Sequence, residues 1–197
     1  MHRFRFALAA LALALTLAPA AAQARPRAAK RVVATKASDC SGTNLLPSPD
    51  NLDAIRSATL CLINVERTQR GRLPLRTNVD LTQVAGLYSR AMIDYSFFGH
   101  LSPAGSTFIS RIKRTDYLTR TNGWAVGENL AWGEVELGSP AKTVEAWMLS
   151  PEHKRNILDT NYVEIGIGVA YGTPGDRNQQ GATYATEFGT RSLIVSA

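Results

Sequence analysis

The spacing of the apolar residues changes once along the chain, and that change constrains the fold more than any single motif. Ile55, Ala58, Leu62, Ile63 and Val65 recur at helical spacing, and so do Leu81, Val84, Ala85, Tyr88, Met92 and Ile93. From Glu164 to Tyr171 the pattern becomes alternating, with glycine or alanine on one face and Ile165, Ile167 and Val169 on the other. Thr183–Gly189 reads as the partner of that strand, across a turn region rich in Gly, Pro, Asn and Gln. Helices first and strands last favour an α+β fold over a wound parallel sheet.

Local signals place the elements. Ser48 or Asp50 is the expected cap of the first helix, which runs to about Gln69 and stops at Gly71. Asn78 caps the second, which ends near Tyr95. Ser106–Tyr117 reads as a short third helix, and Ser139 with Pro140 opens a fourth. Ser150-Pro151 breaks that helix, and a helical turn follows through Leu158. Thr121-Asn122-Gly123 reads as a turn, and Val126–Trp132, with Gly127-Glu128-Asn129, as loop entering a brief strand.

The N-terminus has a different character. Arg3 and Arg5 precede an Ala/Leu run from Ala7 to Ala18, and small residues with cleavage spacing follow. This order predicts a secretory signal peptide over 1–24, cut after Ala22 or Ala24, and a secreted, extracellular product. Residues 25–39 lack aromatics and helical spacing and read as a basic, disordered linker, which leaves 40–197 as the folded domain. The chain carries 22 Lys and Arg against 16 Asp and Glu. The excess lies in the leader and linker: from Cys40 onward there are 15 of each sign. The basic balance is therefore no evidence for nucleic-acid binding by the domain. No other run is long and apolar enough to span a membrane, so the mature chain is expected without a transmembrane segment; a monomer is a separate expectation. The two cysteines, Cys40 and Cys61, suggest a disulfide in an exported protein; two free thiols are the alternative.

Five ordered motifs then resemble one family. They are Leu62–Arg67 ahead of Leu73-Pro74-Leu75, Phe98–Pro103, Gly127–Ala131, Trp147–Leu158 and Ile165–Val169. Together they are similar to the bacterial branch of the CAP superfamily (cysteine-rich secretory proteins, antigen 5 and pathogenesis-related 1), also called the SCP domain. The resemblance implies a three-layer α-β-α sandwich around a small antiparallel sheet. It also implies a cleft with two His and two Glu side chains, whose first three members map onto His100, Glu128 and His153. The second Glu lies three residues after the Trp in animal and plant relatives, and Ser150 stands there in this chain.

These residues suggest several chemistries. Two neutral imidazoles and a carboxylate, from His100, His153 and Glu128, suit a divalent metal such as zinc. A Glu128 carboxylate in a turn is expected to accept backbone N–H bonds, which would lower its pKa. Trp132 and Trp147 read as core, and Glu164 as a rim residue or half of a surface salt bridge. A serine hydrolase has no Gly-x-Ser-x-Gly elbow to build on, although Ser102 and Ser150 neighbour the histidines. A metal-dependent extracellular hydrolase or peptidase would use Glu128 as general base. The leading expectation, drawn from the resemblance, is a secreted binding module for a lipid, sterol-like or cell-envelope ligand. Phe97-Phe98 and Phe108-Ile109 are the residues expected to line an apolar pocket. A structural, envelope-associated role that uses the basic linker is the third expectation.

Overall fold

The computed structural model describes residues 35–194. The predicted signal peptide and the linker up to residue 34 lie outside the described residues. Thr35 donates its backbone N–H to Thr68 Oγ1 at 3.0 Å, and Ala37–Asp39 form a 3-10 turn. The end of the expected linker is therefore attached to the first helix.

Helix α1 spans Leu52–Gln69 and α2 spans Val79–Asp94, joined through the two-residue strand β1, Arg76–Thr77. The capping expectation is met at α2, where the Asn78 side chain accepts from the backbone N–H groups of Asp80 and Leu81. At α1 the capping residue is Asn51 rather than Ser48 or Asp50, and its side chain accepts from Ser48. Helix α3 is only Phe108–Ile112, because the chain relaxes into a 3-10 turn at Asp116–Leu118. Then come β2 (Thr121–Glu134), α4 (Pro140–Leu149), α5 (Pro151–Leu158), β3 (Glu164–Tyr171) and β4 (Gly181–Leu193). Ser139 caps α4 with Pro140 at its first position.

The sheet order is β1-β3-β4-β2, antiparallel except for the short β1–β3 pair. Strand β2 corrects the sequence reading. Thr121-Asn122-Gly123 is its bulged start rather than a turn, and Gly127-Glu128-Asn129 lies in its middle. Glycine in Gly127-Glu128-Asn129 serves close approach: a Cβ on Gly127 would sit 2.5 Å from the Tyr162 hydroxyl.

Each face of the sheet carries a helical layer. On one side, Ile165, Ile167, Val169, Tyr184 and Phe188 pack with Ile55, Ile63, Trp147 and Ile157 of α1, α4 and α5. Each such side chain stabilises by roughly 1.5–3 kcal/mol. On the other side lies α2, drawn close by the glycine face of β3. A Cβ on Gly166 would stand 2.0 Å from the Leu81 backbone, and one on Gly168 2.1 Å from that of Ala85. The apolar clusters on this side are smaller, around Tyr88, Met92 and Leu130 and around Leu81, Ile112 and Tyr117. The large core holds the sheet, and the α2 side has room for charge and for a cavity. Cys40 and Cys61 form a disulfide that fixes the entry segment to α1. Among the described residues no helix is long and apolar enough to cross a membrane.

Candidate functional site

Strand β2 lies at the sheet edge, and both helical layers reach it there. From one layer, Asn156 of α5 donates to the Glu128 carbonyl, and Trp147 of α4 donates to that of Leu130. Asn129 points to the same side and donates to the His153 carbonyl. These side chains satisfy edge carbonyls that would otherwise invite another strand. Glu128 points the other way, toward the α2 layer, and its side chain is fully buried.

Glu128 is held by side chains, not by the backbone N–H groups expected of a turn. His100 Nδ1 lies 2.7 Å from its Oε1, and the Arg111 guanidinium pairs with its Oε2. Arg111 is itself buried, 3.2 Å above the centroid of the Tyr88 ring. It also donates to the carbonyls of Ser106 (3.0 Å) and His100 (3.3 Å). Tyr88 donates its hydroxyl to the Gly99 carbonyl at 2.6 Å. One arginine on a five-residue helix, capped by Thr107, therefore organises both the carboxylate and the loop that carries His100.

A second carboxylate lies next to the first. Glu187 of β4 is the register partner of Glu128, with Gly166 of β3 on its other side. It is wholly buried, and neither of its carboxyl oxygens has a hydrogen-bond partner. Burial first, and then the negative charge of Glu128, push its pKa well above the usual carboxylate range, so it holds its proton. Neither Glu187 nor Arg111 was singled out from the sequence. Their signals were present: Glu187 is an ionisable residue between Ala185 and Gly189 on one strand face, and Arg111 interrupts the apolar stripe beside Ile112.

The two histidines are tuned in opposite directions. The hydrogen bond that His100 donates to the Glu128 carboxylate raises the His100 pKa, against the opposing effect of burial. Burial lowers that of His153, and repulsion from His100 lowers it further. His153 thus lies within electrostatic reach of His100, and its main-chain carbonyl anchors Asn129.

Beyond Arg111 the cluster opens into a cavity of about 540 Å³ between α2 and the 97–106 loop. Leu87, Tyr88, Ala91, Tyr95 and Phe97 form its apolar wall, with Arg111 and Arg114 at its polar side. Phe97 packs edge-on against Tyr88. Of the four apolar residues expected to line a pocket, only Phe97 does so; Phe98 is exposed, and Phe108 packs against the cluster around Ile112.

Other site expectations resolve differently. Ser150 is the junction of α4 and α5, and no hydrogen bond among the described residues joins its hydroxyl to the cluster. Glu164 accepts from Asn78 and Tyr117, and its Oε2 lies 3.9 Å from Arg191 Nε, so of its two expected roles the salt bridge is the one present. Trp147 is buried as expected, whereas Trp132 is 48% exposed. The metal expectation on His100, Glu128 and His153 gains no support from the geometry. Both Glu128 oxygens are engaged by His100 and Arg111, and among the described residues no three His, Cys, Asp or Glu side chains form a group that could hold an ion.

An α-β-α sandwich with this His/Glu-bearing edge defines an SCP-type domain. Residues 60–186 match the Cysteine-rich secretory protein family (CAP), and the chain belongs to that family. It is 33% identical over 143 residues to the uncharacterized protein YkwD of Bacillus subtilis (strain 168), covering 72% of this chain and 53% of that protein. It is 29% identical over 110 residues to the uncharacterized membrane protein YlbC of the same strain, covering 56% of this chain and 30% of that protein. The matched region thus spans about half of the first relative and less of the second. Among solved structures, it is similar to an extracellular protein containing a SCP domain from Bacillus anthracis str. Ames, at TM-score 0.54 and 20% identity, covering 72% of this chain and 43% of that one. An outer surface protein from Borrelia burgdorferi gives TM-score 0.56 at 22% identity, covering 75% of this chain and 97% of that one. Both structural likenesses concern the fold.

Proposed function

We propose that this chain is a secreted binding module that holds a lipid-like ligand in the cavity beside α2, with its polar end toward Arg111, His100 and Glu128. The observation that carries this reading is the 540 Å³ cavity, which shares Arg111 with the buried carboxylate cluster. A concave, mostly apolar space with a few convergent polar groups is the usual form of a small-molecule site. The Cys40–Cys61 disulfide, the predicted leader and the extracellular SCP-domain relative support export. Neither the metal-dependent hydrolase nor the purely structural reading gains an observation of this kind.

The test is lipid retention. The folded protein is incubated with an equimolar mixture of sterols and fatty acids, desalted and examined by native mass spectrometry. Wild type is expected to keep one ligand. Ala91→Trp, which fills the cavity wall, is expected to keep none while melting at the same temperature. Wild type emerging empty from every incubation overturns the proposal.

A further inference from the structure

A second concavity lies in the opposite helical layer, remote in sequence from the α2 cavity and built from different residues. It has a volume of about 480 Å³ and is lined by Arg72, Lys154, Arg155, Asp159 and Thr160, with Pro151 and Leu158 between them. Arg72 comes from the loop after α1, and Lys154 and Arg155 from α5. All three cations are exposed, and among the described residues none has a carboxylate within 4.0 Å. Neighbouring cations in the same layer behave differently: Arg56, Arg70 and Lys142 each have an acidic partner three or four residues away.

The background beneath this surface is also positive. Arg67 is buried just inside and donates to the carbonyls of Ile157, Asp159 and Tyr162. Burial lowers its pKa to about 10, with Arg72 pushing in the same direction and Asp159 against it. Asp159 is the only acidic residue in the lining among the described residues, and its side chain is engaged by the Asn161 backbone N–H at 2.8 Å. The C-terminal turn of α5 favours nearby cations through the helix dipole, but that accounts for Arg155 and not for Arg72, which arrives from another element. Within a domain balanced in charge, like charges have been gathered here without partners.

We propose that this concavity binds a linear phosphodiester chain that carries no bases, such as a polyol-phosphate polymer. Two guanidinium forks and an ammonium match phosphate oxygens in geometry and exceed the charge of one carboxylate. The space is open and larger than a single phosphate, which suits a chain passing across it. Among the described residues no aromatic side chain lines it, so it has no platform on which nucleic-acid bases would stack.

The test uses the isotopically labelled full mature chain and amide chemical-shift mapping at low salt. The probes are inorganic phosphate, short synthetic poly(glycerol phosphate) and a single-stranded oligonucleotide of matched charge. The expected footprint is Arg72, Lys154, Arg155 and Thr160, with poly(glycerol phosphate) bound more tightly than the other two. Affinity should fall with added salt, and Arg72→Gln/Lys154→Gln/Arg155→Gln should weaken it by about tenfold or more. The basic stretch at 25–36 is present in both proteins, so its contribution cancels. Shifts confined to other surfaces, equal affinity in the triple variant, or equal affinity for the oligonucleotide would each overturn the proposal. The footprint on wild type stands whether or not the variant folds, and the outcome is independent of lipid retention.

Discussion

Arg67 and Glu187 are buried to the same degree and satisfied to opposite degrees. Arg67 is 1% exposed, and its guanidinium donates to four carbonyls, those of Leu73, Ile157, Asp159 and Tyr162. Glu187 is 0% exposed, and neither oxygen has a partner. Arg67 ties α1 to the end of α5 and to the run into β3. Glu187, which keeps its proton, stands beside Glu128, at the end of a chain of groups that opens to solvent at His100. Burial alone therefore does not mark function in this fold. A buried guanidinium with a full set of carbonyl partners acts as a staple, and the unpartnered carboxyl group lies where the cleft and the cavity begin.

The largest expected effect belongs to the staple. Arg67→Met keeps the apolar stem and removes every donor, leaving four carbonyls unpaired. Stability should fall on the order of 4 kcal/mol, from several lost charged hydrogen bonds and the desolvated acceptors they leave. Urea unfolding measures it, and the His100 titration in the folded variant should be unchanged. A loss smaller than about 1 kcal/mol, the scale of an exposed ion pair, would show that Arg67 is not a staple and does not differ from Glu187 in this way.

Glu187→Gln sharpens the other half. The folded-state pKa of Glu187 is raised by burial and by Glu128. An unfolded chain releases that proton within the ordinary carboxylate range, whereas the folded chain keeps it. Above that range the unfolded state binds fewer protons, so this group's contribution to stability declines as pH rises toward its folded-state pKa. Glutamine keeps the shape and cannot ionise. The difference between variant and wild type should therefore grow in the variant's favour from mildly acidic to alkaline pH, as read from urea midpoints. A difference that stays constant across that range would mean that Glu187 is not the proton-holding group.

What the sequence reveals divides along the same line. Helices α1 and α2, the caps at Asn78 and Ser139, and the glycine-faced strand β3 follow from local spacing, and the structure contains them. The pairing of the two cysteines, suggested by their even number in a chain expected to be exported, is present as well. Strand β2 was obscured because Asn122, Gly123, Gly127 and Asn129 look like turn formers one at a time. They are held extended by β4, which lies far along the chain, and by α5 side chains on the outer edge. Glu187 and Arg111 were missed for the same reason. Nothing within a few residues of Glu187 shows that it faces Glu128; only the register of β2 against β4 does. His100 and Glu128 were found because their motifs resemble a family, whereas Arg111, which pairs with Glu128, lies outside every one of those motifs.

The smallest effect is one of titration. His100 is raised chiefly by its hydrogen bond to Glu128, and His153 is lowered chiefly by burial and then by His100. On acidification His100 should protonate first and His153 second, each followed by its own ring-proton resonance. The signs for stability differ accordingly. The contribution of His100 is full at low pH and fades as pH rises through its folded-state pKa. That of His153 is full at neutral pH and is lost as pH falls below the usual imidazole range. Glu128→Gln removes the negative charge that holds His100 up while leaving an oxygen at the same place. The His100 midpoint should then fall toward that of His153, with His153 relieved of part of its repulsion and rising slightly. If the two midpoints keep their separation in Glu128→Gln, the carboxylate is not what tunes this edge of the sheet, and the contrast between a satisfied staple and an electrostatically poised cleft loses its second term.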